Sequence, residues 1–346
     1  MSALDATIER LAGARGRRAR RRRLVVLALL ALVGSAFWLT LSLGQSYTPP
    51  GEVLRVLFGE PVPGAGFTVG ELRLPRALLS VLAGASFGLG GVVFQIMLRN
   101  PLASPDIIGI SWGASAAAVI AIVVLSLSGP IVAVVAIVAA LAVAVLIYGL
   151  SFRNGVAGTR LILVGIGVSA MMESVIAYVL SQAPAWTLQE AMRWLTGSVN
   201  GARLADALPL LLSLVAFGGM IAARARDLDV LRLGDDTAAA LGVPVGATRV
   251  LLLVAAVGLI ATATAVCGPI SFVAFLSGPI AARVFANDGS PLFPAALVGA
   301  VLVLVGDYAG QFLLPGRYPV GVVTGALGAP YLIYLIVRVN RSGTSL

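Results

Sequence analysis

Apolar residues fall along this chain in ten long stretches, at about 24–43, 76–97, 106–127, 130–150, 160–182, 206–223, 248–267, 270–285, 293–313 and 320–337. Most approach the roughly 20 residues with which an α-helix, rising 1.5 Å per residue, crosses the hydrocarbon of a bilayer. Polar residues are confined to the segments between them. The pattern predicts an all-α polytopic membrane protein of ten transmembrane helices. Two segments between spans, 45–75 and 182–205, are too long for simple turns, and the run TLQEAMRWLTGS in the second predicts a short amphipathic helix on the outer surface. The most charged interruption is 224–249, RARDLDVLRLGDDTAAALGVPVGATR, with four arginines and four aspartates. Asp235 and Asp236 precede the helix-forming TAAALG, where the orphan N–H groups and the helix dipole favour carboxylates. Gly242 stops that helix and Pro244 prevents its return. A short capped helix at a membrane surface suits contact with a soluble partner; an ordinary solvated loop is the alternative.

Charge gives the spans a direction. All 24 basic residues among the 346 are arginine, and eight of them lie between Arg10 and Arg23, just before the first span. No convincing cleavage site follows, so that span reads as an uncleaved first helix with the cluster in the cytoplasm. An even number of spans returns the C-terminus to the same side. With this topology 18 arginines lie inside and six outside, the latter being Arg55, Arg73, Arg76, Arg193, Arg203 and Arg317. The segment 224–249 then faces the cytoplasm. The chain divides into a cytoplasmic arginine-rich segment 1–23, a transmembrane domain 24–338 and a cytoplasmic tail 339–346, in a multi-pass protein of the cell membrane in contact with lipid. A net charge of +9 in this setting reports membrane topology, and no nucleic-acid partner is expected.

Composition also narrows the chemistry. With 59% hydrophobic and 11% charged residues and a mean hydropathy of +1.01, no soluble domain of useful size remains. Histidine is absent and Cys267 is the only cysteine. His-ligated haem, His-based zinc hydrolysis and an intrachain disulfide are excluded, and no cofactor or metal site is expected. No G-x-x-x-x-G-K-[ST] occurs, so the chain carries no P-loop for ATP hydrolysis of its own. Small residues crowd several spans, as in AGASFGLGG (83–91) and GALGAP (325–330), which permits close helix packing in lipid.

The most specific stretch is 72–115, LRLPRALLSVLAGASFGLGGVVFQIMLRNPLASPDIIGISWGAS. Together with GPISFVAFLSGPIAAR (268–283) and PVGVVTGALGAPYLIYLI (319–336), it resembles the permease family of iron–siderophore and cobalamin ATP-binding-cassette (ABC) importers, in order across nearly the whole chain. The resemblance implies a transport subunit rather than an enzyme. Its implied partners are a second permease subunit, identical or paralogous, cytoplasmic ABC ATPase subunits and an extracytoplasmic substrate-binding protein. It implies that 231–242 forms the ATPase-coupling element, with Leu231, Asp235, Asp236, Ala240, Leu241 and Gly242. It implies docking of the binding protein on Arg73 and Arg76, which flank Pro75 at the outer mouth of the second span; anchoring to lipid phosphates is the other reading of that pair. It implies a cytoplasmic gate at the N-P-L turn, Asn100 and Leu102, with Gly158 and Thr159 aligned less securely as its other half. A ferric siderophore is the favoured substrate, cobalamin or haem the alternatives. Transport would proceed by alternating access.

The chain departs from the family at two places. Gly278 and Pro279 stand where a proline and a histidine are common, and Gln311 replaces an arginine sometimes found after the aspartate of the ninth span. Two acids fall within spans, Glu173 and Asp307. Asp307 reads as a structural hydrogen-bonding residue near the outer end, while Glu173 faces either a water-filled path or a subunit interface. An ion-coupled secondary transporter should carry more intramembrane charge, and a membrane-embedded enzyme lacks paired catalytic groups.

Overall fold

The computed structural model describes residues 3–151, 158–285 and 289–341, with side chains excepted at 3–11, 107, 158, 159 and 338–341. The fold is helical throughout the described residues. The chain order is α1 (Ala3–Ser42), α2 (Pro50–Leu57), a π-helical turn Gly66–Arg73 leading into α3 (Leu74–Met97), α4 (Pro105–Ile108), α5 (Ile110–Val123), α6 (Pro130–Ser151), α7 (Gly158–Ser181) and α8 (Ala185–Leu195). It continues with α9 (Leu204–Ala223), α10 (Ala225–Leu231), α11 (Asp235–Ala240), α12 (Val245–Cys267), α13 (Val273–Phe285), α14 (Leu292–Tyr308), a π-helical turn Ala309–Leu313 and α15 (Val320–Arg341). Among the described residues, eight helices are long and apolar enough to cross a membrane, and α5 and α13 are shorter apolar helices. Together these ten coincide with the ten apolar stretches. The arginine-rich start is continuous with the first span, all of it within α1.

The bundle is built around α3, whose apolar window is 78% buried, against 11% for α1 and 22% for α7 and α9. It packs on α9, α12, α13 and α14. Glycine makes this possible. A Cβ on Gly84 would lie 2.7 Å from the Gly299 carbonyl carbon of α14, and one on Gly91 would lie 2.6 Å from the Ala274 carbonyl carbon of α13. Helix backbones in lipid gain by such close approach, because side chains burying themselves gain nothing over lipid tails. The large apolar side chains left exposed on α6, α7 and α9, such as Val145, Leu163 and Val215, form outer faces that only hydrocarbon or another membrane helix can cover.

Two stretches do not form single spans. Where 106–127 reads as one span, Gly109 at φ +98 separates α4 from α5. A Cβ there would come within 2.8 Å of Ser169 Oγ on α7, so the break is fixed by packing that hydropathy cannot register. In 270–285 the helix begins only at Val273, after Gly268 at φ +71 and Phe272 at φ +64. The helix read as lying on the outer surface is α8, which packs against α5 with Ala191 fully buried.

Pro279 lies inside α13 and cannot donate to the Phe275 carbonyl one turn back. Gln95 of α3 fills the vacancy: its buried Nε2 donates to that oxygen at 2.9 Å. Any side chain on Gly278 would collide with the Gln95 amide. The departure Gly278-Pro279 therefore works with Gln95 as one unit, joining α3 to α13.

Candidate functional site

The polar segment between the sixth and seventh spans folds into α10 and α11. After α11, Gly242 at φ +85 takes the left-handed position, with Gly242 N–H donating to Ala239 O at 2.9 Å and Val243 N–H to Ala238 O at 3.0 Å. This pair of bonds closes the helix end as glycine permits. At the other end the cap differs from expectation. Gly234, at φ +111, holds the N-cap position and no side chain caps the helix. Asp235 and Asp236 stand in the first turn, where the dipole still favours them. The Asp235 carboxylate goes elsewhere, accepting from Arg249 Nη2 at 2.9 and 3.0 Å and from Arg99 Nη2 at 3.4 Å. With Gly234 at the N-cap, Asp235 stands inside the first turn and its carboxylate pairs with two guanidiniums instead.

Leu231, expected at a contact surface, is buried with Leu228 beneath the segment, and Ala238 is buried as well. What projects is Leu241, 63% exposed, with Ala240 and Gly242 beside it, and Leu233, 64% exposed, before the helix. Leu233 was not legible as a surface residue, because a leucine in a short charged segment carries no period to assign it a face. Asp229 on α10 has its carboxyl pushed up by desolvation, opposed by the charges of Arg232 and Arg22.

At the C-terminal end of α3, Asn100 Oδ1 accepts the Leu102 N–H at 2.8 Å, a side-chain-closed turn. Leu102 packs against the cluster of Phe275, Leu276 and Leu335 from α13 and α15. Gly158 and Thr159 open α7, and their side chains lie outside the described ones, as does Arg153 altogether. Arg99 and Leu161 line one small gap, so the end of α3 meets the start of α7.

Arg73 and Arg76 are engaged within the chain. Arg73 is 9% exposed; its Nη1 donates to Leu41 O at 2.9 Å and its Nη2 to Ser46 O at 2.6 Å, fastening the loop after α1 onto α3. Arg76 Nε and Nη2 donate to Asp307 Oδ2 and Oδ1 at 2.5 and 2.7 Å. Side-chain exposure is 17% for Arg76 and 4% for Asp307. The docking surface expected of these two side chains is thus not a free pair of guanidiniums, since a desolvated cation must find its partners inside the chain. Nearby, Arg193 and Arg317 are exposed at a cavity of about 590 Å³ that Gln311 also lines. Glu173 is exposed on α7 with no hydrogen-bond partner among the described residues.

A second cavity, of about 430 Å³, is mainly apolar, with a polar corner at Ser104, Asp106 and Ser111 against Trp112, Phe272 and Phe275. Ser104 caps α4 by accepting the Asp106 N–H, and Ser111 Oγ donates to Asp106 Oδ1 at 2.6 Å. An apolar wall with a few fixed polar groups is the usual character of a ligand-contacting surface. No group of three or more potential metal ligands occurs among the described residues.

Against known proteins, residues 27–338 match the FecCD transport family. The chain is 38% identical over 294 residues to the ferric enterobactin transport system permease protein FepG of Escherichia coli K12, covering 84% of this chain and 88% of the relative. It is 34% identical over 333 residues to the probable siderophore transport system permease protein YfhA of Bacillus subtilis, covering 92% and 96%. Among solved structures, an inward-facing metal-chelate type ABC transporter superposes with a TM-score of 0.81 at 25% identity, over 91% of this chain and 99% of that one.

Proposed function

Since the chain belongs to the FecCD transport family, a family of ABC importer permeases for siderophores and iron chelates, we propose that it carries a ferric siderophore across the cell membrane as one permease subunit of an importer. It is a multi-pass transport subunit and not itself an enzyme. ATP hydrolysis resides on cytoplasmic ABC ATPase subunits, and a second permease, identical or paralogous, completes the path. Both termini and the α10–α11 segment lie in the cytoplasm, with 24–338 as the transmembrane domain between the segment 1–23 and the tail 339–346.

The observation that carries this reading is the α10–α11 segment itself. It is a rigid two-helix element whose inner leucines are buried and whose Leu233 and Leu241 project, held by Asp235 to the ends of α3 and α12. An apolar knob in a charged surround is suited to a groove on a soluble partner. Nucleotide-driven movement of that partner would reach the gate at Asn100 and Leu102, with Gly158 and Thr159 across from it, and alternate the exposure of the path. The cavity at Asp106 and Ser111 forms part of that path, and Glu173 faces its water or the second permease. A substrate-binding protein docks on the outer lip that Arg73 and Arg76 shape from within. Exposed Arg193 and Arg317 are there to meet its carboxylates.

The test is purification in detergent followed by uptake. A co-purifying ATPase and radio-iron uptake from a ferric siderophore support the proposal. Uptake of cobalamin or haem instead replaces the substrate, and a chain that purifies without any ATPase and transports on an ion gradient overturns it.

A further inference from the structure

Helix α3 ends as α11 does, through two bonds closing the last turn: Arg99 N–H donates to Ile96 O at 3.1 Å and Asn100 N–H to Gln95 O at 3.0 Å. The residue between must be left-handed. In α11 it is Gly242, which adopts that conformation without cost, whereas in α3 it is Arg99, at φ +49. A side chain held in this region is strained and persists where its surroundings require it. The Arg99 side chain borders a small gap with Tyr148, Leu161 and Arg249, and its charge meets one carboxylate. The Arg99 guanidinium passes over Gly234, where even a Cβ would stand off by 3.5 Å, and donates to Asp235 Oδ1 at 3.4 Å.

Asp235 is held firmly on its other side. Arg249, with a side chain 14% exposed, contacts both of its oxygens. The Arg99 arm is 50% exposed and longer. Asp235 thus has a fixed arm toward α12 and a yielding arm toward the end of α3. The residue after Arg99 is Asn100, whose turn sets Leu102 against α13 and α15.

We propose that Arg99 and Asp235 are a positioning pair that sets the ATPase-docking helix α11 in register with the gate turn, so that displacement of α11 reaches Asn100 and Leu102 through one side chain. The proposal rests on the permease–ATPase reading above. It accounts for an arginine at a position that helix termination alone would give to glycine.

Arg99→Gly separates the two roles, because it removes the guanidinium and gives the backbone the residue it prefers. The complete complex of permease, ATPase and binding protein is placed in lipid nanodiscs. Thermal midpoint, retained ATPase and binding-protein-stimulated ATP turnover are then measured. The midpoint should stay level or rise and the ATPase should remain bound. Stimulation should fall about 1.5- to 5-fold, the range open to a half-exposed ion pair. In an Asp235→Asn background the same substitution should have no further effect on stimulation. Unchanged stimulation with the ATPase bound overturns the pair, as does a loss of stability that parallels the loss of stimulation. A wild-type complex that retains no ATPase refutes the permease reading instead, and the pair with it.

Discussion

Asp307→Ala should be one of the most damaging single changes in this chain, for a reason that has nothing to do with a partner. Arg76 and Asp307 are 231 residues apart and joined by two bonds of 2.5 and 2.7 Å, tying the start of α3 to the end of α14. With the carboxylate gone, the Arg76 guanidinium, 17% exposed, keeps among the described residues only Asn200 Oδ1 at 3.4 Å. Exposed ion pairs are worth ~0–1 kcal/mol, and hydrogen bonds between membrane helices average about 0.6 kcal/mol. Neither scale fits a carboxylate that is 4% exposed. Breaking a buried pair by removing one partner costs about 3–5 kcal/mol, because an uncompensated charge is left behind. At about 2–4 °C per kcal/mol for larger domains, the thermal midpoint in detergent should drop by roughly 6–20 °C. The double variant Arg76→Met with Asp307→Leu removes both charges and should recover most of that loss, as apolar replacement of buried pairs often does. The assay is a double-mutant cycle on thermal unfolding, with binding-protein affinity measured alongside. Should Asp307→Ala leave stability within about 1 kcal/mol of wild type while shifting the salt dependence of docking, Arg76 is a docking cation after all.

Three further outcomes can be checked with the same preparation. Gly84→Ala should destabilise by about 1–3 kcal/mol through overpacking, since its Cβ would lie 2.7 Å from the Gly299 carbonyl carbon. Gly219→Ala, with nothing within 4 Å, should be neutral or slightly stabilising, and equal effects of the two on the thermal midpoint would discredit the packing argument. Gln95→Leu should cost about 1–3 kcal/mol by orphaning the Phe275 carbonyl, and restoring the helix donor with Pro279→Ala should make the Gln95 change milder; additive losses would speak against the shared role. Leu241→Asp should release the ATPase without impairing membrane insertion, since an unpaired charge buried at an interface costs several kcal/mol, and ATPase co-purifying at wild-type level would return the segment to a simple loop.

The apolar stretches, the short helix before Gly242 and the family were legible in the sequence. All three rest on signals carried by neighbouring residues: hydropathy sums locally, helix caps span a few positions, and motifs such as L-R-N-P-L are contiguous. What each charged side chain does was decided by the tertiary structure. Arg73 and Arg76 have the same residue type and outer-mouth position as docking cations, and only the packing of α1 and α14 against α3 turns both inward. Asp235 precedes a helix-forming run like any cap, yet the fold brings it to Arg99, 136 residues away in sequence. Gln95 and Pro279 look unrelated until α3 and α13 lie side by side, and the break at Gly109 follows from the approach of α7. A buried polar group must be satisfied wherever the chain comes close enough, so its partner is set by three-dimensional proximity, which a local pattern of apolar residues does not encode.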